Sequence, residues 1–252
     1  MKKLFKMSAV ILFVLIVFSA CGRNESVSGK IISFPPYGER VVTAIGDSIA
    51  AGYGLDSQED NYLTLFSDNI GAVLNNDAVS GYDSGEVLKS LSDEKTAADI
   101  KNADAIVVSV GGNDFFHRKD IMIDALKNAL LHGEGFFPEE VTNIYDEYEK
   151  NLSRIIDEIK NMNPDAYIIV QTVYNPFLKQ TLNFSYINVG KTANRYVTRL
   201  NDSIKNVCKT KNRVFVFDVA PEMNEDAENF YGTDEKLDIH PTKHGHATLA
   251  RV

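Results

Sequence analysis

Tryptophan is absent from this chain of 252 residues, and cysteine occurs only at positions 21 and 208. Two cysteines cannot form the disulfide framework of a small secreted scaffold. Basic residues are scarce beside acidic ones: the first 20 residues hold three lysines and no acid, and the rest of the chain has 23 basic against 35 acidic residues, a net charge of −12. Such a charge repels phosphate backbones. We therefore expect no nucleic acid as a partner.

The N-terminus combines a basic start, Met1 to Lys6, with an uncharged stretch of 14 residues from Met7 to Ala20. A helix needs about 20 apolar residues to span a bilayer, so this pattern is typical of a signal peptide. Its end, Phe18-Ser19-Ala20-Cys21-Gly22, resembles a bacterial lipoprotein signal, in which cleavage before the cysteine leaves the thiol to carry lipid. We therefore expect lipid on Cys21, which anchors the protein to the membrane outside the cytoplasm.

Two other interpretations of the N-terminus stay open: an uncleaved anchor, and a secretory signal in which Cys21 is incidental. Both also place the mature protein outside the cytoplasm. Once Cys21 is acylated, Cys208 has no partner for an intrachain disulfide. The polar segment that follows, with Ser28-Gly29 and Pro35-Pro36, is typical of a tether. We divide the chain into a signal peptide (1–20), a tether (21–39) and one folded domain (40–252).

From Arg40 onward, short β-rich apolar runs alternate with longer segments of helical periodicity. With 44% hydrophobic residues, the chain has enough apolar mass for one core. Strands separated by helices indicate a parallel sheet covered on both faces, so we predict an α/β fold: a single three-layer α/β/α domain with five parallel strands. The strands are predicted at 41–45, 78–79, 105–110, 167–173 and 214–219. The helices are predicted at 62–74, 85–91, 96–102, 121–131, 138–162 and 187–209.

Chemically useful side chains follow the predicted strands at their carboxyl ends, where loops of a parallel sheet converge on ligands. Ser48 follows the first strand, Gly81 the second, and Asn113 the third within Gly111-Gly112-Asn113-Asp114. His240 comes some twenty residues after the fifth. A serine hydroxyl becomes a nucleophile when an imidazole accepts its proton. The set therefore predicts acyl transfer by Ser48 with His240 as its base.

The intermediate of such a reaction places negative charge on the former carbonyl oxygen, which needs preorganised donors. The backbone N–H groups of Ser48 and Gly81 and the side-chain amide of Asn113 would supply three. Gly81 also permits a positive φ. Asn113 and Asp114 could instead be ordinary turn residues.

These four residues resemble the SGNH, or GDSL, hydrolase family, which is named after a serine, a glycine, an asparagine and a histidine in four separate blocks. The resemblance covers about Val41 to Ala250 and is greatest to extracytoplasmic lipase-like proteins of Gram-positive bacteria, which share Tyr174-Asn175-Pro176. It implies a flavodoxin-like sheet with strand order 2-1-3-4-5, hydrolysis of carboxylic esters through an acyl-enzyme, and no metal or other cofactor.

The sequence departs from this family at the residue that orients the histidine. The family usually places an aspartate three residues before the histidine, and here that position is Leu237. Asp238 is the nearest carboxylate, and a bulge could bring it to the ring; a backbone carbonyl is the alternative. We predict Asp238 as the third catalytic residue. The departure also supports a rival function, a non-catalytic envelope-binding lipoprotein on a degenerate SGNH fold.

Two alternative interpretations, a helix cap and a zinc site, concern the same residues. Ser48 could be a helix N-cap, and Asp47 is expected to be a structural hydrogen-bonding group beside it. His240, His244 and His246 could form a zinc site. Pro241 interrupts that spacing and no acidic partner stands at metalloenzyme spacing, so we predict no metal.

Two aromatic segments near the same sheet edge bear on the substrate. They could roof an acyl groove or stack on a sugar, or they could simply pack beneath long loops. The sequence leaves lysophospholipids, simple lipid esters and O-acetylated wall polysaccharide open as substrates. The aromatic residues are Phe115, Phe116, Phe136, Phe137, Tyr174, Phe177, Phe184 and Tyr186.

Overall fold

A five-stranded parallel sheet forms the centre of the computed structural model, which describes residues 39–132, 137–178, 183–184, 187–231 and 238–252. Its strands are β1 (Arg40–Gly46), β2 (Ala72–Asn76), β3 (Ala105–Ser109), β4 (Tyr167–Gln171) and β7 (Val214–Phe217). They lie in the order β2-β1-β3-β4-β7, all parallel. Two short antiparallel strands, β5 (Asn183–Phe184) and β6 (Ile187–Asn188), form a separate hairpin. The predicted α/β fold and its strand order are confirmed.

Helices connect the strands and cover both faces of the sheet. They are α1 (Ser48–Ala51), α2 (Tyr62–Ile70), α3 (Ser84–Ser90), α4 (Glu94–Asn102), α5 (Gly112–Phe116), α6 (Lys119–His132), α7 (Glu139–Met162), α8 (Val189–Lys209), α9 (Ala220–Glu225) and α10 (Lys243–Leu249). Single 3-10 turns lie at Gln58–Asp60 and Ala227–Asn229. In α7, apolar residues at spacings of three and four form one buried stripe, as the period of an α-helix requires.

Two apolar clusters lie on opposite faces of the sheet. Alternate residues of a strand point to opposite faces. Ile106 and Val108 accordingly pack in one cluster, with the stripe of α7 and the inner face of α8, and Val107 packs in the other. The second cluster receives Tyr62 from α2 and Leu249 from α10. Because helices cover both faces of the sheet, residues on both sides of each strand are buried, and the strands are continuous apolar runs in the sequence.

The predicted second strand, Ala78–Val79, is wrong. The strand is Ala72–Asn76, and its first residues fall within the helix predicted at 62–74. That helix ends at Ile70 because Gly71 takes a left-handed conformation with φ +64 and donates its N–H to the last turn. Ala78 and Val79 lie in the loop that follows β2. The other predicted strands and helices match observed elements with end shifts of about two residues, which is ordinary for sequence-based boundaries.

Several predictions from the N-terminus lie outside the described residues. They concern the signal peptide, the tether and Cys21, and the same holds for Leu237, Phe136 and Tyr186. Cys208 is a free, buried cysteine. Within the described ranges, no helix combines the length and apolar character that crossing a membrane requires.

Gly46, the last residue of β1, lies against the backbone of its neighbour strand. It pairs with Ser109 of β3 and has φ +146. A Cβ added at Gly46 would lie 2.0 Å from the carbonyl oxygen of Ser109. The same oxygen accepts the N–H of Asp47 at 2.9 Å. Only a residue without a side chain fits here.

We predict that Gly46→Ala lowers the free energy of unfolding by about 3–5 kcal/mol, because the β1 and β3 backbones must separate. Gly71→Ala is the matched control, since Gly71 also has positive φ but a Cβ there meets no atom within 4 Å. It should cost about 1–2 kcal/mol, the ordinary penalty of a left-handed residue. Urea unfolding of both variants measures this. Equal losses would mean that the close approach to Ser109 is unimportant.

Candidate active site

Ser48 opens the short helix α1 directly beyond the end of β1. The Asp47 side chain caps this helix by accepting the N–H of Ile49 at 3.0 Å. Asp47 is therefore the N-cap and Ser48 the first helical residue, so the alternative of Ser48 as a cap is wrong. The side chain of Asn76 donates to the carbonyl oxygen of Ala50 at 2.8 Å and ties α1 to β2. Ser48 is thus presented by a turn held at both ends.

Asp47 is a structural group in an unusual electrostatic setting. Burial raises the pKa of its carboxyl to about 7, the hydrogen bond from Ile49 lowers it, and the charge of Asp114 raises it. Burial therefore favours the neutral form of the Asp47 carboxyl more than in an exposed aspartate. Its contact with Ile49 fits the prediction of a structural hydrogen-bonding group.

His240 connects Ser48 to Asp238. Its Nε2 lies 3.0 Å from Ser48 Oγ, and its Nδ1 lies 2.7 Å from Asp238 Oδ1. A carboxylate only accepts hydrogen bonds, so Nδ1 carries the proton and Nε2 is left to accept from the serine hydroxyl. That is the tautomer a general base needs.

Asp238 reaches the ring although it stands only two residues before His240. Its Oδ1 also accepts the backbone N–H of His240 at 3.0 Å, which closes an Asx turn. The turn directs the carboxylate towards the histidine two residues later, so that Oδ1 reaches Nδ1 of the imidazole. The sequence left a bulge or a backbone carbonyl open, and the carboxylate reaches the ring through this Asx turn instead. The main argument for a degenerate site, the lack of a carboxylate beside the histidine, is thereby removed. The catalytic role of Asp238 stays a prediction.

The segment that holds His240 is fastened beside the sheet. Phe230 and Pro241 form an antiparallel bridge, and the N–H of Thr242 donates to the carbonyl of Asn229 at 2.9 Å. The ring of Tyr53 lies 4.5 Å from the imidazole, centroid to centroid, and covers one side of it. The position of the base therefore depends on contacts that no local sequence pattern announces.

Asn113 faces the same cavity as Ser48. Gly111 turns the chain after β3 with φ +142, and Asn113 follows in the first turn of α5. The Asn113 Nδ2 donates to the carbonyl of Tyr82 at 2.9 Å. An amide nitrogen carries two protons, and this bond uses one. Its bond to Tyr82 ties Asn113 to the loop that contains Gly81.

Gly81 has the positive φ that the sequence analysis expects, +92. Its loop runs along the end of β1, because the N–H groups of Asp77 and Val79 donate to the carbonyls of Ala44 and Gly46. This places the loop beside the turn that presents Ser48. The donor role of the Gly81 N–H stays a prediction.

A cavity of about 420 Å³ opens beside Ser48 and Asn113. Four of the aromatic residues singled out in the sequence line it: Phe115, Phe116, Tyr174 and Phe177. Phe137 packs instead on Tyr196, at a centroid distance of 5.2 Å. The contribution of α6 and α8 could not be predicted from the sequence, because an apolar stripe on a helix can equally well pack in the core. Their wall residues are Met122, Ile123, Ala193, Tyr196, Val197 and Leu200.

The histidines considered as a zinc site turn to different partners. His244 is exposed and lies 3.2 Å from Asp226, whereas the buried His246 accepts the N–H of Tyr62 on its Nδ1 at 3.3 Å. Burial lowers the pKa of His246 to about 4, so it is neutral at neutral pH. With His240 bound to Ser48, the three do not converge.

Two other groups among the described residues bring ligand atoms within reach of one another. They are Asp83, Glu86 and His117, and Asp226, Glu228 and His244. Asp83 and Glu86 already form a capping box, and Asp226 caps a 3-10 turn. Neither group supports a metal assignment.

Comparison with known proteins agrees with this geometry. The chain matches the model of the GDSL-like lipase/acylhydrolase family over residues 44–248. The uncharacterized protein YpmR of Bacillus subtilis (strain 168) is 28% identical over 218 residues, covering 84% of this chain and 78% of that protein. The spore germination lipase LipC of Bacillus licheniformis is 23% identical over 215 residues, covering 82% of this chain and 92% of that protein. The solved structure of lipase Lip_vut3 from a goat rumen metagenome shares the fold, with a TM-score of 0.66 at 18% identity over 84% of this chain and 94% of that chain.

We predict that Asp238→Asn lowers kcat for a 4-nitrophenyl ester by about 10²–10⁴-fold, because an amide favours the wrong imidazole tautomer. Asp226→Asn is the matched control, since Asp226 also contacts a histidine but lies on the surface. It should leave kcat within about twofold, as surface substitutions usually do. Steady-state kinetics on both variants decides. If Asp238→Asn matches wild type, a group other than this carboxylate orients His240.

Proposed function

Since the chain belongs to the GDSL-like lipase/acylhydrolase family and is a carboxylic ester hydrolase, we propose that it cleaves lipid acyl esters through an acyl-enzyme on Ser48. The observation that carries this proposal is the hydrogen-bonded series Ser48, His240 and Asp238 beside an apolar cavity of about 420 Å³. A nucleophile, its base and a space for the substrate stand together.

In the first half of the proposed reaction, Ser48 Oγ attacks the ester carbonyl carbon and its proton moves to His240 Nε2. The carbonyl oxygen becomes an oxyanion. When this intermediate collapses, the bond to the alcohol oxygen breaks and the imidazolium gives its proton to the departing alcohol. In the second half, water loses a proton to the same nitrogen and attacks the acyl carbon. When this second intermediate collapses, the bond from the acyl carbon to Ser48 Oγ breaks, the imidazolium returns its proton to Oγ, and the carboxylic acid leaves. Asp238 stabilises the imidazolium in both halves.

The oxyanion would be stabilised by the N–H groups of Ser48 and Gly81 and by the second amide proton of Asn113. Such a donor contributes about 3–4 kcal/mol when charge develops in a water-poor site. The bond from Asn113 to Tyr82 supports this role, since it restrains the amide before any substrate binds.

The cavity favours an acyl chain over an acetyl group. Its wall is built mainly from apolar side chains of α5, α6 and α8 and of the loop after β4. A chain that enters it gains about 0.8 kcal/mol for each buried methylene, whereas an acetyl group leaves most of the wall without contact. The names of LipC and Lip_vut3, both lipases, agree with a lipid substrate.

A lipid substrate suits the cellular location that the N-terminus suggests. We propose that the protein is a lipoprotein anchored through Cys21 outside the cytoplasm, where the tether would give the domain reach along the membrane. The domain would not be held there by charge, because its net charge of −12 repels anionic lipid.

The acyl-chain proposal predicts that kcat/KM on 4-nitrophenyl esters rises by about fourfold per methylene from acetyl until the cavity is full. Val197→Phe narrows the wall at α8 and should shift the optimum to shorter chains. Val73→Phe, the same change at an exposed position on β2, should not.

Ser48→Ala should be inactive on every ester and should lose labelling by a fluorophosphonate. An acetyl optimum that Val197→Phe leaves unchanged would contradict the acyl site, and labelling that survives Ser48→Ala would contradict the nucleophile.

The anchoring proposal predicts that Cys21→Ser either releases the folded protein from the membrane fraction or leaves the signal uncleaved, when the gene is expressed in a Gram-positive host. A single acyl chain binds membranes only marginally, so the chains added to a lipoprotein cysteine are needed for a stable anchor. Cys208→Ala, at the other cysteine, should stay membrane-bound. If the Cys21→Ser protein fractionates with membranes at its mature mass, lipid on Cys21 is not the anchor.

A further inference from the structure

Asp114 is a buried carboxyl that the reaction above does not use. It is 3% exposed and follows Asn113 in the first turn of α5. Its two oxygens accept from one residue: Oδ1 from the Ser84 hydroxyl at 2.5 Å, and Oδ2 from the Ser84 N–H at 3.1 Å. Burying a carboxylate costs free energy of desolvation unless the group is well hydrogen-bonded. The presence of one beside the active site therefore calls for an explanation.

The partner of Asp114 is itself held in one orientation. Ser84 Oγ accepts from the side-chain amide of Asn151 on α7 at 3.0 Å. With that acceptor position filled, the hydroxyl proton turns to Asp114. On the other side, Arg118 donates to the backbone carbonyl of Asp114 at 3.0 Å. Ser84 is therefore held by α7, and the backbone of Asp114 is held by the turn that follows α5.

The pair joins two loops that belong to strands which are not neighbours. Ser84 begins α3 directly after the loop that follows β2 and contains Gly81 and Tyr82, and Asp114 lies in α5 just after β3. In the sheet, β1 stands between β2 and β3. The connection therefore crosses the end of β1, where Ser48 is presented.

Three hydrogen bonds make this connection. Two run from Ser84 to the Asp114 carboxyl, and the third runs from the Asn113 amide to the Tyr82 carbonyl. The two side-chain and loop donors expected at the oxyanion, Asn113 and Gly81, lie on the two segments that these bonds hold together. Their separation is set by the bonds to Asp114 and Tyr82.

We propose that Asp114 is a positioning residue that holds the Gly81 loop and Asn113 at the spacing the oxyanion requires. The inference rests on the proposed function, in which these two groups are donors. Burial raises the pKa of Asp114 to about 6 and the bonds from Ser84 lower it, so the group is mainly a carboxylate at neutral pH and can accept both bonds. Misplacement of a catalytic group by about 1 Å can cost about 10²-fold in rate.

The test is a double-mutant cycle between Asp114 and Asn113, measured as kcat and KM on one 4-nitrophenyl ester together with thermal midpoints. Asp114→Asn should lower kcat by about 10–100-fold and change KM by less than about threefold, because the donors act when charge develops. In an Asn113→Ala background, the same change should lower kcat far less, because one donor it positions is already gone. Ser84→Ala should lower kcat in the same direction, and it carries the test if Asp114→Asn does not fold.

Asp83→Asn is the matched control, a carboxylate in the same loop that caps α3 from the solvent side. It should leave kcat unchanged. Equal losses from Asp114→Asn in both backgrounds, or losses that follow the thermal midpoint across all variants, would overturn the positioning role. If Asn113→Ala leaves kcat unchanged, the oxyanion part of the proposed function is wrong and the positioning inference falls with it. If Asn113→Ala lowers kcat and Asp114→Asn does not, only the positioning inference is wrong.

Discussion

The close contact between the backbones of Gly46 and Ser109 determines where the site can form. Because β1 and β3 touch at their carboxyl ends without a side chain between them, the loops that follow both strands begin at nearly the same point. Ser48 lies two residues beyond one end, and Gly111 lies two residues beyond the other. A parallel sheet always gathers loops at one edge. Here the N–H of Asp47 also donates directly to the carbonyl of Ser109, so the loops that carry Ser48 and Asn113 start side by side.

Elements with strong periodicity could be predicted from the sequence. The stripe of α7 is long and regular, so the helix predicted at 138–162 matches the observed Glu139–Met162 within one residue. The second strand could not be predicted, because Val73 and Leu74 continue the helical spacing of Leu63 and Phe66, and because β2 is short with two asparagines at its end. Gly71 is the residue that separates them, and a glycine at a helix end looks the same in sequence as a glycine inside one.

For the candidate site, residue types and their order were predictable and contacts were not. Ser48 and His240 follow from the chemistry that a serine nucleophile needs. The Asx turn that brings Asp238 under the imidazole depends on backbone angles that the residue type permits but does not require. The partnership of Asp114 with Ser84 joins positions thirty residues apart, and no local pattern reports such a pair. The cavity could not be predicted either, because an apolar helix face can line a cavity or pack in the core, depending on the element that lies opposite it.

The nucleophile and its base belong to differently supported parts of the molecule. Ser48 is held by the sheet, whereas His240 lies between the bridge of Phe230 with Pro241 and the helix α10, whose Leu249 packs in the second cluster. Stability within a protein is uneven, and peripheral segments open at lower free energy than a central sheet. Displacement of the proton acceptor therefore requires this C-terminal segment and α10 to open, and it leaves the strand pairs of the sheet in place. On heating, the enzyme should lose its catalytic activity at a temperature where its sheet is still intact. On cooling, the activity should return without refolding of the sheet.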